Sequence, residues 1–334
     1  MRNNTRISIK KYIVPSIPIG VLLIGTCLLL WVSAFVGERF ATVPLQKNFI
    51  LVFLQLLIKP NTLISNLVAI VFCSINAFLL SQINNRYTII RSRTFLPALI
   101  FMLLMSSWNE THSANGSHAA LMLFIISLFI IFSMFHDRKT SEQAFLGSFL
   151  ISLCSIFINP LIFIIPIFWI GFMMLKSFSL RSFLGSIIGT LTPWIIYLAC
   201  YYFFNSNINL QQIINLNTTI GIRPLSFPIF DLIYIAALTI IMIISLAGMF
   251  SIYSRDAIHT RKKLNFLLLL LISIAVLSIL YKDQSTLFLP IIAFLYSILV
   301  SHPFTLKQNT FYNIVFIVFF AINIIYVISK YIIL

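Results

Sequence analysis

The chain has 334 residues, of which 60% are hydrophobic and 9% charged, and its formal net charge is +15. A soluble domain carries roughly a quarter charged residues, so this inventory cannot build a water-facing surface, and soluble globular classes are excluded. With a mean hydropathy of +1.05, lipid is the solvent the chain fits.

Runs such as Phe266–Leu280 and Ile314–Ile328 are nearly continuous in apolar residues. A transmembrane barrel strand alternates apolar and polar over about ten residues, so the spans must be helices, which pair their backbone groups within one segment. The sequence predicts an all-α, polytopic transmembrane helix bundle. A span needs roughly 20 apolar residues, which gives about ten or eleven spans in a single transmembrane domain covering residues 1–334.

A basic start (Arg2, Arg6, Lys10, Lys11) precedes an apolar run from Ile17 to Val36. That run is too long for a signal-peptide core and no clean cleavage site follows, so it is read as a first span, 16–36, that stays. Between Gly37 and Asn61 lies the apolar piece Phe49–Ile58, too short to cross and predicted as an interfacial or dipping helix. Further spans are predicted at 61–82, 94–108, 118–135, 144–158, 161–175, 182–203, 228–250, 264–281, 286–302 and 310–331. The segments 94–108, 144–158 and 161–175 are short, roughly 22 Å of helix against a hydrocarbon core of about 30 Å. Asn159-Pro160 divides the second from the third, and proline cannot continue a helix without losing a hydrogen bond, so a tight hairpin is expected there. Irregular backbone at depth is tolerated only under protein or beside a wet cavity, which places the expected cavity in this N-terminal half. No internal repeat, linker or low-complexity tract is visible.

Orientation follows from Lys and Arg. With the N-terminus in the cytoplasm and the spans alternating, only Arg39, Lys47, Lys59, Arg223, Lys282 and Lys330 fall outside, and the other sixteen of the 22 basic residues fall inside. This asymmetry explains the positive charge without a nucleic-acid partner.

Seven acidic residues are present. Asp137, Glu142 and Asp256 fall in predicted cytoplasmic loops beside basic residues and are expected to be solvated. Glu38, Glu110, Asp231 and Asp283 fall at or near the outer face. The densest polar group is Trp108, Asn109, Glu110, His112 and His118, in the outer loop above a short span. A Glu–His pair can move a proton near neutral pH, and an aromatic face can stack on a sugar. Trp is also an ordinary interface residue, and the group lacks a third convincing metal ligand, so no metal site is expected. Arg39 and Arg223 lie on the predicted outer face against the positive-inside trend. Gripping a lipid-linked phosphate is one reason for an Arg there; tolerance of a surface charge is the other. Cys27, Cys73, Cys154 and Cys200 sit in apolar runs and are read as small buried residues. Asn109, Asn115 and Asn217 head Asn-x-Ser/Thr triplets on the predicted outer side, and Asn3 does so on the inner side. Gly185-x-x-x-Gly189 is suited to close helix approach. No predicted helix carries an Asp, Glu, Lys or Arg near its middle, which argues against ion-coupled transport, though Asn76, Asn159 and Asn323 can add polar contacts.

The stretches Arg91–Ser107 (RSRTFLPALIFMLLMSS) and Ile158–Trp194 (INPLIFIIPIFWIGFMMLKSFSLRSFLGSIIGTLTPW) resemble an uncharacterised family of polytopic inner-membrane proteins of Bacteroidetes-type bacteria. The layout is also similar to that of GT-C membrane glycosyltransferases. It shares with them a first span, an outer loop with an interfacial helix, and short helices with outer connections. It departs from them in having a lone Glu38 followed by Arg39 where an acidic pair is usual, and in lacking a soluble acceptor domain.

The resemblance implies a cell-envelope enzyme, a glycosyltransferase or polymerase using a polyprenyl-phosphate-linked sugar. Glu38, Glu110 and His112 would then be the catalytic residues, while Arg39, Trp108, His118 and Arg223 would bind substrate, with no cofactor. Two other readings stand beside it: a non-enzymatic membrane subunit or scaffold of a larger envelope complex, and a transporter of lipid or lipid-linked glycan. Membrane lipids are partners in all three, and other membrane proteins in the second.

Overall fold

The structure, a computed structural model, describes Gly25, Trp31 and residues 63–92, 94–135, 140–204, 228–307 and 309–333. Among these there are ten α-helices and no strand. In chain order they are α1 (Leu63–Tyr87), α2 (Leu96–Ser107), α3 (Gly116–Ser133), α4 (Ser141–Phe157), α5 (Ile165–Met174), α6 (Leu180–Phe204), α7 (Ile229–Ile252), α8 (Ile258–Leu280), α9 (Ser285–Leu306) and α10 (Thr310–Ile333). Seven helices are long and apolar enough to cross a membrane: α1, α3, α6, α7, α8, α9 and α10. Of the predicted first span only Gly25 and Trp31 are described, both helical. Phe49–Ile58 lies outside the described residues.

Local chemistry sets the helix ends. Pro97 sits in the first turn of α2, where a missing N–H costs nothing. Asn115 caps α3, its side chain accepting from the Ser117 N–H at 3.1 Å. Asn159-Pro160 stops α4 and opens a 3-10 segment, Asn159–Ile164, that leads into α5. The expected break between two short helices is therefore present. α2 is short too, at 12 residues, or about 18 Å.

α9 is the spine of the bundle. Some 89% of its apolar window is buried, against 22% for α6. A helix buried on all sides must be apolar all round or satisfy its polar groups locally. Ser297 and Ser301 do the latter, donating to the Phe294 and Ile298 carbonyls of their own helix. Phe294 packs edge-on to Phe124, which packs edge-on to Phe168, and Phe168 meets Phe266 at 5.7 Å and 90°. Edge-to-face contact is the arrangement the ring quadrupole favours.

α4 and α6 approach until backbone meets backbone. A Cβ on Gly185 would lie 2.8 Å from the Ser141 carbonyl oxygen, and one on Gly189 would lie 3.1 Å from the Phe145 Cα, so neither position has room for a side chain. Polar contacts fasten this approach: Ser152 Oγ donates to the Thr190 carbonyl at 2.6 Å, and Trp194 Nε1 to Ser155 Oγ at 3.1 Å. Small residues and interhelical hydrogen bonds are the usual adhesives where lipid removes the hydrophobic drive between helices.

Trp108 after α2 meets Tyr234 near the start of α7 and Tyr326 in α10, while Arg91 before α2 meets Asp256 after α7. The 108–115 turn therefore lies at one end and the 253–257 turn at the other. Arg86, Arg91, Lys176, Arg181, Arg255, Arg261, Lys262, Lys263 and Lys307 gather at the second, basic end. α8 begins at Ile258, six residues before the predicted span, and so takes Lys263 into the helix. Its Nζ donates to the Tyr87 carbonyl at 3.2 Å and lies 5.0 Å from that ring's centre.

Candidate functional site

Three of the predicted site residues, Glu38, Arg39 and Arg223, lie outside the described residues. The other four share the 108–115 end. Asn109–Thr111 forms one 3-10 turn between α2 and α3, which holds Trp108, Glu110 and His112 within five residues of one another. His118 follows in the first turn of α3.

The two histidines are enclosed. His118 is buried, with Nδ1 2.9 Å from Asn115 Oδ1 and Nε2 3.0 Å from the Thr111 carbonyl. His112 is buried with Nε2 3.0 Å from the Ser106 carbonyl, and its ring lies 4.5 Å from that of Trp31. Trp31 in turn donates to Ser106 Oγ at 3.0 Å. Both imidazoles thus brace the turn, and the Thr111 hydroxyl completes the brace by donating to the Trp108 carbonyl at 2.6 Å.

Glu110 differs. It is half-buried, yet its Oε2 is shielded from solvent and has no hydrogen-bond partner among the described residues. A buried carboxylate oxygen without a donor is costly, so this atom stands apart from the braced imidazoles beside it.

Trp108 belongs to an aromatic group. It lies 5.6 Å from Tyr234 of α7 and 5.7 Å from Tyr326 of α10, and those two tyrosines stack at 3.8 Å with planes 7° apart. Their hydroxyls enter a polar network. Tyr326 donates to Asp231 Oδ1 at 2.8 Å, and Tyr234 donates to Asn323 Oδ1, also at 2.8 Å. Ser107 donates to the same Asn323 oxygen at 3.0 Å, and Asn323 Nδ2 donates to the Phe319 carbonyl at 2.7 Å. Asp231, which accepts from the buried Tyr326 phenol, is thus a second carboxylate at the same end as Glu110. Sequence reasoning placed Asp231 at the outer face without joining it to Glu110, and passed over Trp31, Tyr234 and Tyr326. In a chain with 12 Tyr and 33 Phe, no spacing distinguishes these aromatics from lipid-facing ones.

At the basic end one expectation is overturned. Asp256 is not a solvated loop acid: its side chain is fully buried, with Oδ1 3.1 Å from Arg91 Nε and Oδ2 3.2 Å from Nε2 of the equally buried His302. The turn Tyr253–Arg255 folds it under the start of α8, where only a charged partner offsets the loss of water. A cavity of about 400 Å3 opens beside it, lined by Arg91 ahead of the short helix α2 and by residues at the ends of α7 and α9.

A family described as a family of unknown function (DUF6427) matches residues 37–333. No curated protein and no solved structure matches the chain.

Proposed function

The chain belongs to the family of unknown function DUF6427, and from that premise we propose a multi-pass protein of a bacterial inner membrane that acts in cell-envelope biogenesis. In this reading the 108–115 end faces outward and works as a GT-C-like glycosyltransferase or polymerase on a polyprenyl-phosphate-linked sugar. The gathering of described basic residues at the opposite end supports that orientation. The observation that carries the enzymatic reading is the buried, partnerless Oε2 of Glu110 beside the Tyr326–Asp231 pair.

Chemically, an acceptor hydroxyl would donate to Glu110 Oε2. As its oxygen bonds to the anomeric carbon, the bond from that carbon to the phosphate oxygen breaks, and Glu110 takes the proton. The departing lipid phosphate keeps the electron pair and needs a cation, a role for Arg39 or Arg223. His112 and His118 position the turn and do not transfer the proton.

A second reading, a non-enzymatic subunit of an envelope complex, draws on the closed aromatic group. Trp108, Tyr234 and Tyr326 are only 9%, 2% and 4% exposed and present one another, not an open face, to a sugar. Glu110→Gln and Asp231→Asn separate the readings, because both preserve shape and the second keeps an acceptor oxygen for Tyr326. The enzymatic reading expects an envelope glycan to be lost while each variant accumulates normally. Unchanged glycan in both would remove it, and a partner co-purifying in fixed ratio with both would favour the subunit.

A further inference from the structure

The cavity at the basic end is lined by Arg91, Ser251, Arg255, Lys307 and Asn309, among others, and no acidic side chain lines it among the described residues. It is distinct from the outer site and does not depend on the reading given to that site. Positive-inside residues need only be solvated, whereas these are built in. Asp256 holds Arg91 through Nε, and no hydrogen bond from its two terminal nitrogens is formed among the described residues, so the fork of the guanidinium is left to the cavity. The other Asp256 oxygen lies 3.2 Å from Nε2 of the buried His302, without hydrogen-bond geometry. A fully buried carboxylate thus stands behind one cation that is 44% exposed. Lys307 is steadied across the mouth, donating to the Tyr312 hydroxyl at 3.2 Å and lying 4.8 Å from that ring's centre. Ser251 donates its hydroxyl proton to the Gly248 carbonyl, which leaves its oxygen free to accept, and Asn309 adds an amide.

Among the described residues three cations face the space, and of these only Arg91 is ion-paired with a carboxylate. We infer that this cavity binds a phosphate group: the planar fork of Arg91 matches two phosphate oxygens, and Arg255 and Lys307 supply the remaining charge. The group can belong to a lipid headgroup, since the cavity sits where α7 and α9 leave their apolar stretches, or to a free phosphate.

The test uses the full chain in a non-ionic detergent, with two arms read by thermal shift and native mass spectrometry. One arm titrates inorganic phosphate. The other titrates short-chain phosphatidic acid against phosphatidylcholine of the same chains. Saturable binding is expected in at least one arm: phosphatidic acid alone identifies a headgroup, inorganic phosphate alone a soluble ligand, and both together a phosphate read without its carrier. Arg255→Gln and Lys307→Gln leave the buried Asp256 untouched and should each weaken binding roughly tenfold. Arg261→Gln, at the same end but over the Tyr253 ring at 5.3 Å, should leave it unchanged. No saturable binding in either arm, variants that bind like wild type, or an equal loss in Arg261→Gln would overturn the inference.

Discussion

Tyr326, in the last helix, donates its hydroxyl to Oδ1 of Asp231, in the first turn of α7, over 2.8 Å. The bond ties together two helices whose outer faces are largely exposed, while the ring beneath it lies flat on Tyr234. The contributions can be separated. Tyr326→Phe keeps the stack and loses only a bond to a charged acceptor, at about 1.5–3 kcal/mol. Interhelical bonds in membranes often return less, so the low end is expected. Tyr326→Ala also loses the ring, and aromatic truncation in a core costs about 3–5 kcal/mol. Thermal melts in detergent should rank wild type, Phe and Ala in that order. Equal melting of Phe and Ala variants would show that the stack contributes nothing.

The 108–115 turn separates positioning from chemistry. His118 sets Nδ1 2.9 Å from Asn115 Oδ1 and Nε2 3.0 Å from the Thr111 carbonyl. Whichever nitrogen carries the proton, His118→Ala removes the side chain packed between Asn115 and Thr111 and opens a hole in a buried site. It should melt several degrees below wild type, and activity should fall only as folded protein falls. Glu110→Gln touches an atom with no described partner and removes a costly buried charge, so it should melt no lower than wild type. A His118→Ala variant that is fully stable but inactive would return the imidazole to the chemistry.

At the basic end the predicted effects are unequal. Arg91→Gln strips the guanidinium from a fully buried carboxylate, and breaking a buried pair in this direction costs about 3–5 kcal/mol; the partial exposure of Arg91 pulls the figure toward the lower bound. Asp256→Asn leaves behind an Arg that can turn to water and should cost less. The double variant should be more stable than Arg91→Gln alone, because the uncompensated charge is gone. A double-mutant cycle in thermal or chemical unfolding measures this, and strictly additive losses would mean the pair is not coupled.

The membrane bundle was legible because its signal is an average over some twenty residues, and lipid imposes it on each span separately. Asn159-Pro160 and Gly185-x-x-x-Gly189 were legible for a related reason, since each acts through backbone geometry carried by the residues themselves. The candidate site was half legible. Trp108, Glu110, His112 and His118 are neighbours in sequence, so the loop could be named. Their division into braces and an open acid depends on Ser106, Asn115 and Trp31, and the second carboxylate arrives from a helix more than a hundred residues later. Asp256 and His302 could not be paired from sequence at all. One lies in the turn before α8 and the other in the last turns of α9, some forty-six residues later, and only the folding of that turn against α9 brings them within 3.2 Å.

Gly189 and Gly147 make a controlled comparison for helix packing. Both lie in helices, where Ala is better than Gly by about 1 kcal/mol, so the local term is the same at each. The surroundings differ. A Cβ at Gly147 would come to 3.1 Å from Ile131 Cγ1, a side chain that can shift. A Cβ at Gly189 would meet the Phe145 backbone, its Cα at 3.1 Å and its carbonyl oxygen closer still, and a backbone has no rotamer to change. α4 and α6 would have to part, loosening the Ser152–Thr190 and Trp194–Ser155 bonds on the same seam. Overpacking costs about 1–3 kcal/mol even where side chains absorb it. Gly147→Ala should therefore melt near wild type, the helix gain offsetting a small clash, while Gly189→Ala should melt clearly lower and accumulate poorly. If Gly189→Ala melts with wild type, the close approach of α4 and α6 is not a feature of the folded protein.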